Sequence, residues 1–113
     1  MGGYLGPDGS GWQLFRNGRP PESMTRLSYR SHYGSAACLL VDADLFHAYG
    51  GFDDAFAPAY YEDVDMCLAF EAQSRPTVVE PKAVVFHYEG GTAGKDVRKG
   101  LKTFQVRYRT TFV

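Results

Sequence analysis

Ser35-Ala36-Ala37-Cys38-Leu39-Leu40-Val41 is a continuous apolar run bounded by Gly34 and Asp42, the form expected of a strand covered on both faces. Asp42 then reads as the N-cap of a short helix through Tyr49, with Gly50-Gly51 as its stop. From about Asp63 to Gln73 the apolar residues recur at helical spacing: Val64, Cys67, Leu68 and Glu71 share one face, Met66 and Phe70 a neighbouring one, and Pro76 closes the segment. Thr77-Val78-Val79-Glu80 and Ala83-Val84-Val85-Phe86-His87 are β-branched runs that predict two strands hinged at Pro81-Lys82. A last helix is predicted from Val97 to about Arg109, with Leu101, Phe104, Gln105 and Tyr108 along one side. Upstream, the turn signals Pro7-Asp8-Gly9 and Arg16-Asn17-Gly18 flank Trp12-Gln13-Leu14-Phe15 and predict a hairpin or an ordered loop. Phe52 to Tyr61, which contains Pro58, and Gly90-Gly91-Thr92-Ala93-Gly94 read as loops.

Length and composition narrow the choice to one folded domain of α/β or β-rich type, since 113 residues with 44% hydrophobic and 15% aromatic content suffice for a single core. The organisation expected is a lead-in over 1–33, a core over 34–94 and a C-terminal helix over 95–113. A net charge of -1 and a pI near 6.3 supply no general field for nucleic acid or an anionic membrane, and only Lys95 to Arg109 is locally basic. Cys38 and Cys67 lie in apolar surroundings without Cys-x-x-Cys spacing, which suits reduced, buried thiols in a cytoplasmic protein. Ala36 to Val41 is far shorter than the roughly 20 residues of a membrane span, and no signal-peptide order begins the chain. Neither an internal repeat nor a glycine-rich phosphate loop occurs.

Candidate chemistry concentrates in Tyr60-Tyr61-Glu62-Asp63-Val64-Asp65-Met66-Cys67, where three carboxylates crowd the predicted start of a helix. Like charges raise one another's proton affinity, while the positive end of a helix favours the ionised forms. The residues leave two readings open. Asp63 is the N-cap with Asp65 in the first turn, or one of the three is a usable base.

Taken together, Gly50-Gly51-Phe52-Asp53, then Tyr61-Glu62-Asp63-Val64-Asp65-Met66-Cys67-Leu68, then Glu80-Pro81-Lys82-Ala83-Val84-Val85-Phe86-His87 resemble the second half of family 2 glycosyltransferases of the GT-A fold. Among these the subgroup that builds O-antigen and related polysaccharides is the nearest in pattern, and the likeness spans about 34–112. The resemblance implies a partial, Rossmann-like GT-A fold with a mixed sheet and about three helices. It implies inverting transfer of a sugar from a nucleotide-diphosphate donor to an acceptor hydroxyl, with a divalent metal, Mg or Mn, in the complete enzyme. Asp63 matches the catalytic base of that family, Glu62 and Asp65 its supporting acceptor-side residues, and Gly50, Gly51, Phe52 and Asp53 its acceptor loop. His87 matches the histidine that helps hold the metal, beside the alternative of a strand-end histidine bonded to a neighbour. Trp12 suits stacking on a sugar ring or ordinary packing.

The departures carry expectations of their own. Ala69 and Glu71 stand where the family has basic residues, Tyr108 where the subgroup has an asparagine, and no donor-side Asp-x-Asp or nucleotide-binding half is found; Asp42-Ala43-Asp44 opens a helix in the wrong block. The isolated chain is therefore expected not to turn over, and the uncovered sheet edge to favour a homo-oligomer. The parent enzyme is expected in the cytoplasm, peripheral to the inner membrane. Two other readings remain: a non-catalytic carbohydrate-binding or self-associating remnant, and a metal-dependent hydrolase using Asp63, Asp65 and His87.

Overall fold

The computed structural model describes residues 2–88 and 96–111, and the expected loop at Gly90 to Gly94 lies outside them. In chain order the structure has β1 (Gly3–Leu5), β2 (Gly11–Gln13), β3 (Tyr29–Ser31), α1 (Ala43–Tyr49), α2 (Glu62–Glu71), β4 (Thr77–Val79) and α3 (Arg98–Arg107), with single 3-10 turns at Glu22–Met24, Ala36–Cys38 and Asp54–Phe56. This is a mixed α/β arrangement. Instead of one mixed sheet, the described strands form two antiparallel pairs, β1 with β2 and β3 with β4.

Elements set by local chemistry match the expectation. The Asp8-Gly9 turn closes the β1–β2 hairpin, in which Tyr4 faces Trp12 and Leu5 faces Gly11, and Gly9 has the positive φ of 80° that such a turn demands. Asp42 caps α1 by accepting the Leu45 N–H at 2.8 Å, and Gly50 ends it at φ 94°, a conformation nearly free of cost for glycine alone. In α3, Phe104 is sealed in the core and Leu101 and Tyr108 pack beside it, as the spacing predicted.

Elements that need a distant partner depart from it. Ala36–Cys38 is a 3-10 turn and Leu39 continues as extended chain with no strand beside it, so the doubly covered strand expected over Ser35 to Val41 is absent and Leu40 is 100% exposed. Ala83 to His87 forms no strand either, and Phe86 is 95% exposed. β-branched runs prefer a pleated surface, but the preference is realised only where a neighbouring strand supplies hydrogen bonds. Thr77–Val79 finds such a neighbour in Tyr29–Ser31, a strand that no local pattern announced. Both cysteines are free thiols; Cys67 is buried, whereas Cys38 is exposed because its run is not a buried strand.

One core unites the pieces: Tyr33, Phe56, Tyr61, Val64, Cys67 and Phe104 pack together, with α2 and α3 as its main walls. Gly100 lets α3 approach closely, since a Cβ there would stand 2.3 Å from the Tyr60 carbonyl oxygen. No helix among the described residues is long and apolar enough to cross a membrane.

Candidate functional site

The chain enters α2 through two consecutive tyrosines in the left-handed region, Tyr60 at φ 79° and Tyr61 at φ 75°. Each costs about 1–2 kcal/mol relative to ordinary backbone, so the surrounding structure must hold them there. It does so from both sides. Gly100 packs its backbone against Tyr60, and the Tyr61 hydroxyl accepts the Gly11 N–H at 2.9 Å while donating to the Gly9 carbonyl at 3.1 Å.

This entry starts the helix at Glu62, so the N-cap position belongs to Tyr61, whose side chain makes no capping bond. Asp63 is therefore not the N-cap. Its Oδ2 accepts the Ala36 N–H at 3.0 Å and its Oδ1 the Val64 N–H at 2.8 Å, which pins the 3-10 turn of the apolar run to the head of α2. Asp63 is half-buried, and burial pushes its carboxyl above the ordinary 3.8 against the pull of those two N–H groups.

Asp63 lines a cavity of about 230 Å³ together with Trp12, Tyr33, Tyr60, Tyr61 and His87. Ligand sites commonly measure about 300–1,000 Å³, and this space falls just below that range. Its walls are aromatic, with Asp63 and the exposed His87 among the polar groups. The Tyr33 hydroxyl is pushed up to about 12, first by burial and then by the charge of Asp63, and so stays a protonated donor at neutral pH.

The other two carboxylates of the cluster have different surroundings. Asp65 is 1% exposed and lies off the cavity. Its Oδ1 accepts from Arg107 Nη1 and from the Tyr108 hydroxyl, both at 2.9 Å, and its Oδ2 accepts from the Tyr49 hydroxyl. Burial pushes both tyrosine hydroxyls up, with Asp65 as the next cause, so they remain donors. Glu62 ends with Oε2 buried and lacking a hydrogen-bond partner among the described residues. Burial, then the charge of Asp63, raises its carboxyl.

The loop expected at the acceptor is tied to this network rather than to the cavity. Phe52 meets Phe46 edge-on at 5.5 Å, and Asp53 caps the Asp54–Phe56 turn through the Ala55 N–H at 2.8 Å. Asp53 also pairs with Arg107 Nη2 at 2.8 Å, and the Ala55 bond followed by Arg107 holds its carboxyl below the ordinary range. Gly50, Gly51, Phe52, Asp53, Glu62 and Asp65 all lie outside the lining of the Asp63 cavity. Arg107 was not singled out in the sequence. Its one signal was its place in the basic tail.

A metal needs several convergent donors, and no group of three or more His, Cys, Asp or Glu side chains occurs among the described residues. His87 and Asp63 share the cavity, and no third such donor among the described residues lines it with them. Asp42-Ala43-Asp44 spends Asp42 on capping α1, and Glu71 pairs with Arg30 on the surface.

No protein-family description matches this chain, and no solved structure matches it. A stretch of 73 residues, 63% of the chain, is 32% identical to an uncharacterized protein, y4gI, of Sinorhizobium fredii (strain NBRC 101917 / NGR234). The chain spans about 8% of the length of that relative.

Proposed function

We propose that this chain is the acceptor-side, base-bearing portion of an inverting glycosyltransferase, which moves a sugar from a nucleotide-diphosphate donor to a hydroxyl of a polysaccharide or lipid-linked acceptor. The observation that carries the reading is Asp63: a half-buried carboxylate with raised proton affinity, fixed by two backbone N–H groups on the wall of a small aromatic cavity. A general base needs that combination of reach, rigidity and elevated basicity. In the reaction Asp63 takes the acceptor hydroxyl proton as that oxygen attacks the anomeric carbon. The new carbon–oxygen bond forms as the bond to the diphosphate breaks, and its electron pair leaves with the diphosphate. Tyr33, held protonated, and His87 stand on the same wall as hydrogen-bonding partners for sugar hydroxyls.

The donor-binding half and its metal are expected from outside the residues described, so the isolated chain should show no turnover. With a nucleotide-binding α/β half supplied, Asp63→Asn should abolish sugar transfer and leave donor binding intact. Transfer retained in that variant removes Asp63 from the base role. Efficient turnover by the chain alone contradicts the division of labour.

A second reading rests on the exposed apolar side chains Leu40, Val84, Phe86 and Tyr88, which suit a non-catalytic module that self-associates. Sedimentation across a concentration series separates the two. A dimer that disperses in Leu40→Ser/Phe86→Ser, combined with no transfer in the complemented system, favours the module.

A further inference from the structure

The β1–β2 hairpin has no part in the transfer step described above, yet it is fastened to the head of α2, to the segment His32-Tyr33 and to α3. Tyr61, two residues before Asp63, grips it at Gly9 and Gly11. Gly3 N–H donates to the Tyr33 carbonyl at 2.9 Å, Leu5 N–H donates to His32 Nδ1 at 2.9 Å, and Gln105 Nε2 donates to the Asp8 carbonyl at 2.9 Å. Gly11 has no room for a side chain, because a Cβ would come 2.8 Å from the Tyr33 hydroxyl. A surface hairpin needs no such over-determination for its own sake.

What it holds in place is Trp12. The indole lies opposite Tyr4, with ring centroids 5.7 Å apart and planes inclined by 34°, and Tyr4 in turn stands 5.2 Å from the His32 ring. Tyr4 is itself anchored by its hydroxyl to the Arg30 carbonyl at 2.9 Å. Backed by this file of rings, Trp12 is still 53% exposed, and it lines the Asp63 cavity. An indole recruited for packing is mostly covered. Here a large, rigid aromatic surface is braced and left open beside a carboxylate.

A pyranose matches that arrangement chemically. Its axial C–H groups give it an apolar face suited to an aromatic ring, while its hydroxyl rim needs polar partners, which Gln13, Ser35, Asp63 and His87 provide around the same cavity. We propose that Trp12 is the stacking platform for one pyranose unit of the acceptor, and thus a specificity-determining residue of the Asp63 site. The inference rests on the reading of Asp63 as the acceptor-side base and adds the ligand class and the surface that receives it.

The chain contains a single tryptophan, so its fluorescence reports on this hairpin alone. Titration with maltotetraose, cellotetraose and mannotetraose, and with the acyclic polyol sorbitol as control, should shift or quench the emission for at least one tetrasaccharide and not for sorbitol. Calorimetry with the responding sugar should show Trp12→Ala weakening binding about tenfold, with Trp12→Phe retaining most of the affinity. In the complemented enzyme Trp12→Ala should raise the acceptor KM about tenfold with kcat nearly preserved. Thermal unfolding of Trp12→Ala and Trp12→Phe confirms that each variant stays folded. No emission response to any of the three sugars, or equal affinity of Trp12→Ala and the parent, overturns the platform. Failure of the base reading looks different: saccharide binding through Trp12 persists while Asp63→Asn transfers sugar at full rate.

Discussion

Removing Asp65 tests whether its role is separate from that of Asp63 two residues away. Asp65→Ala leaves the Tyr49 and Tyr108 hydroxyls and one Arg107 nitrogen without the acceptor they share. Breaking a buried ion pair from one side costs about 3–5 kcal/mol, because the remaining partner is left desolvated. The Arg107 side chain is 35% exposed and regains water, so the lower end, about 3 kcal/mol, applies. That is a large share of the about 5–15 kcal/mol that stabilises an ordinary domain, and at about 4 °C per kcal/mol it lowers Tm by about 12 °C. Asp65→Asn keeps the shape and one acceptor oxygen, and should cost about half as much. Urea unfolding followed by circular dichroism measures both, and a cycle with Tyr108→Phe isolates the shared bond. In that cycle the second substitution should cost less once Asp65 is gone, with a coupling of about 1 kcal/mol. If Asp65→Ala changes stability by under about 1 kcal/mol, or the cycle is additive, the network does not hold α2 to α3.

Gly100→Ala gains about 1 kcal/mol of helix propensity but drives a Cβ to 2.3 Å from the Tyr60 carbonyl oxygen; the clash should win and lower Tm, and an unchanged or higher Tm refutes the close approach. Tyr61→Phe removes the hydroxyl that serves Gly9 and Gly11, and should cost about 1–3 kcal/mol and speed hydrogen exchange at the Gly11 amide; unaltered exchange there refutes the clamp. Because Asp63 has a raised folded pKa, the stability it contributes is present at low pH and lost as pH rises through that value, so its ionised form is the costly one at neutral pH. Asp63→Asn keeps one of the two acceptor oxygens bonded to Ala36 and Val64, so its stability relative to the parent should be highest at neutral pH and fall on acidification towards 3.8, as pH-dependent urea unfolding would show. The same shift places the acid limb of kcat/KM for transfer above 3.8, and a limb at or below that value argues against Asp63 as the base.

Short-range chemistry was readable from the residue order. Asp42 caps α1 and Gly50 ends it because a side-chain oxygen reaching its own N–H neighbours, and a missing Cβ, act within one turn of chain. The Asp8-Gly9 turn and the helical phase of Leu101, Phe104 and Tyr108 are equally local. The crowding of Glu62, Asp63 and Asp65 marked the region of interest in the same way, since three carboxylates in four residues are conspicuous wherever they fall.

Assigning the three to different tasks took the fold. Neighbouring positions on a helix point about 100° apart, so whichever side α3 covers determines that Asp65 meets Arg107 and Tyr108 while Asp63 looks into the cavity. The two left-handed tyrosines that start α2 early depend on Gly100 and on the hairpin, both far away in the chain. Strands were equally undecided: Thr77–Val79 and Ala83 to His87 have the same β-branched character, and only the first has a partner beside it. A backbone hydrogen bond between strands is a meeting of two segments, so no property of one segment fixes it.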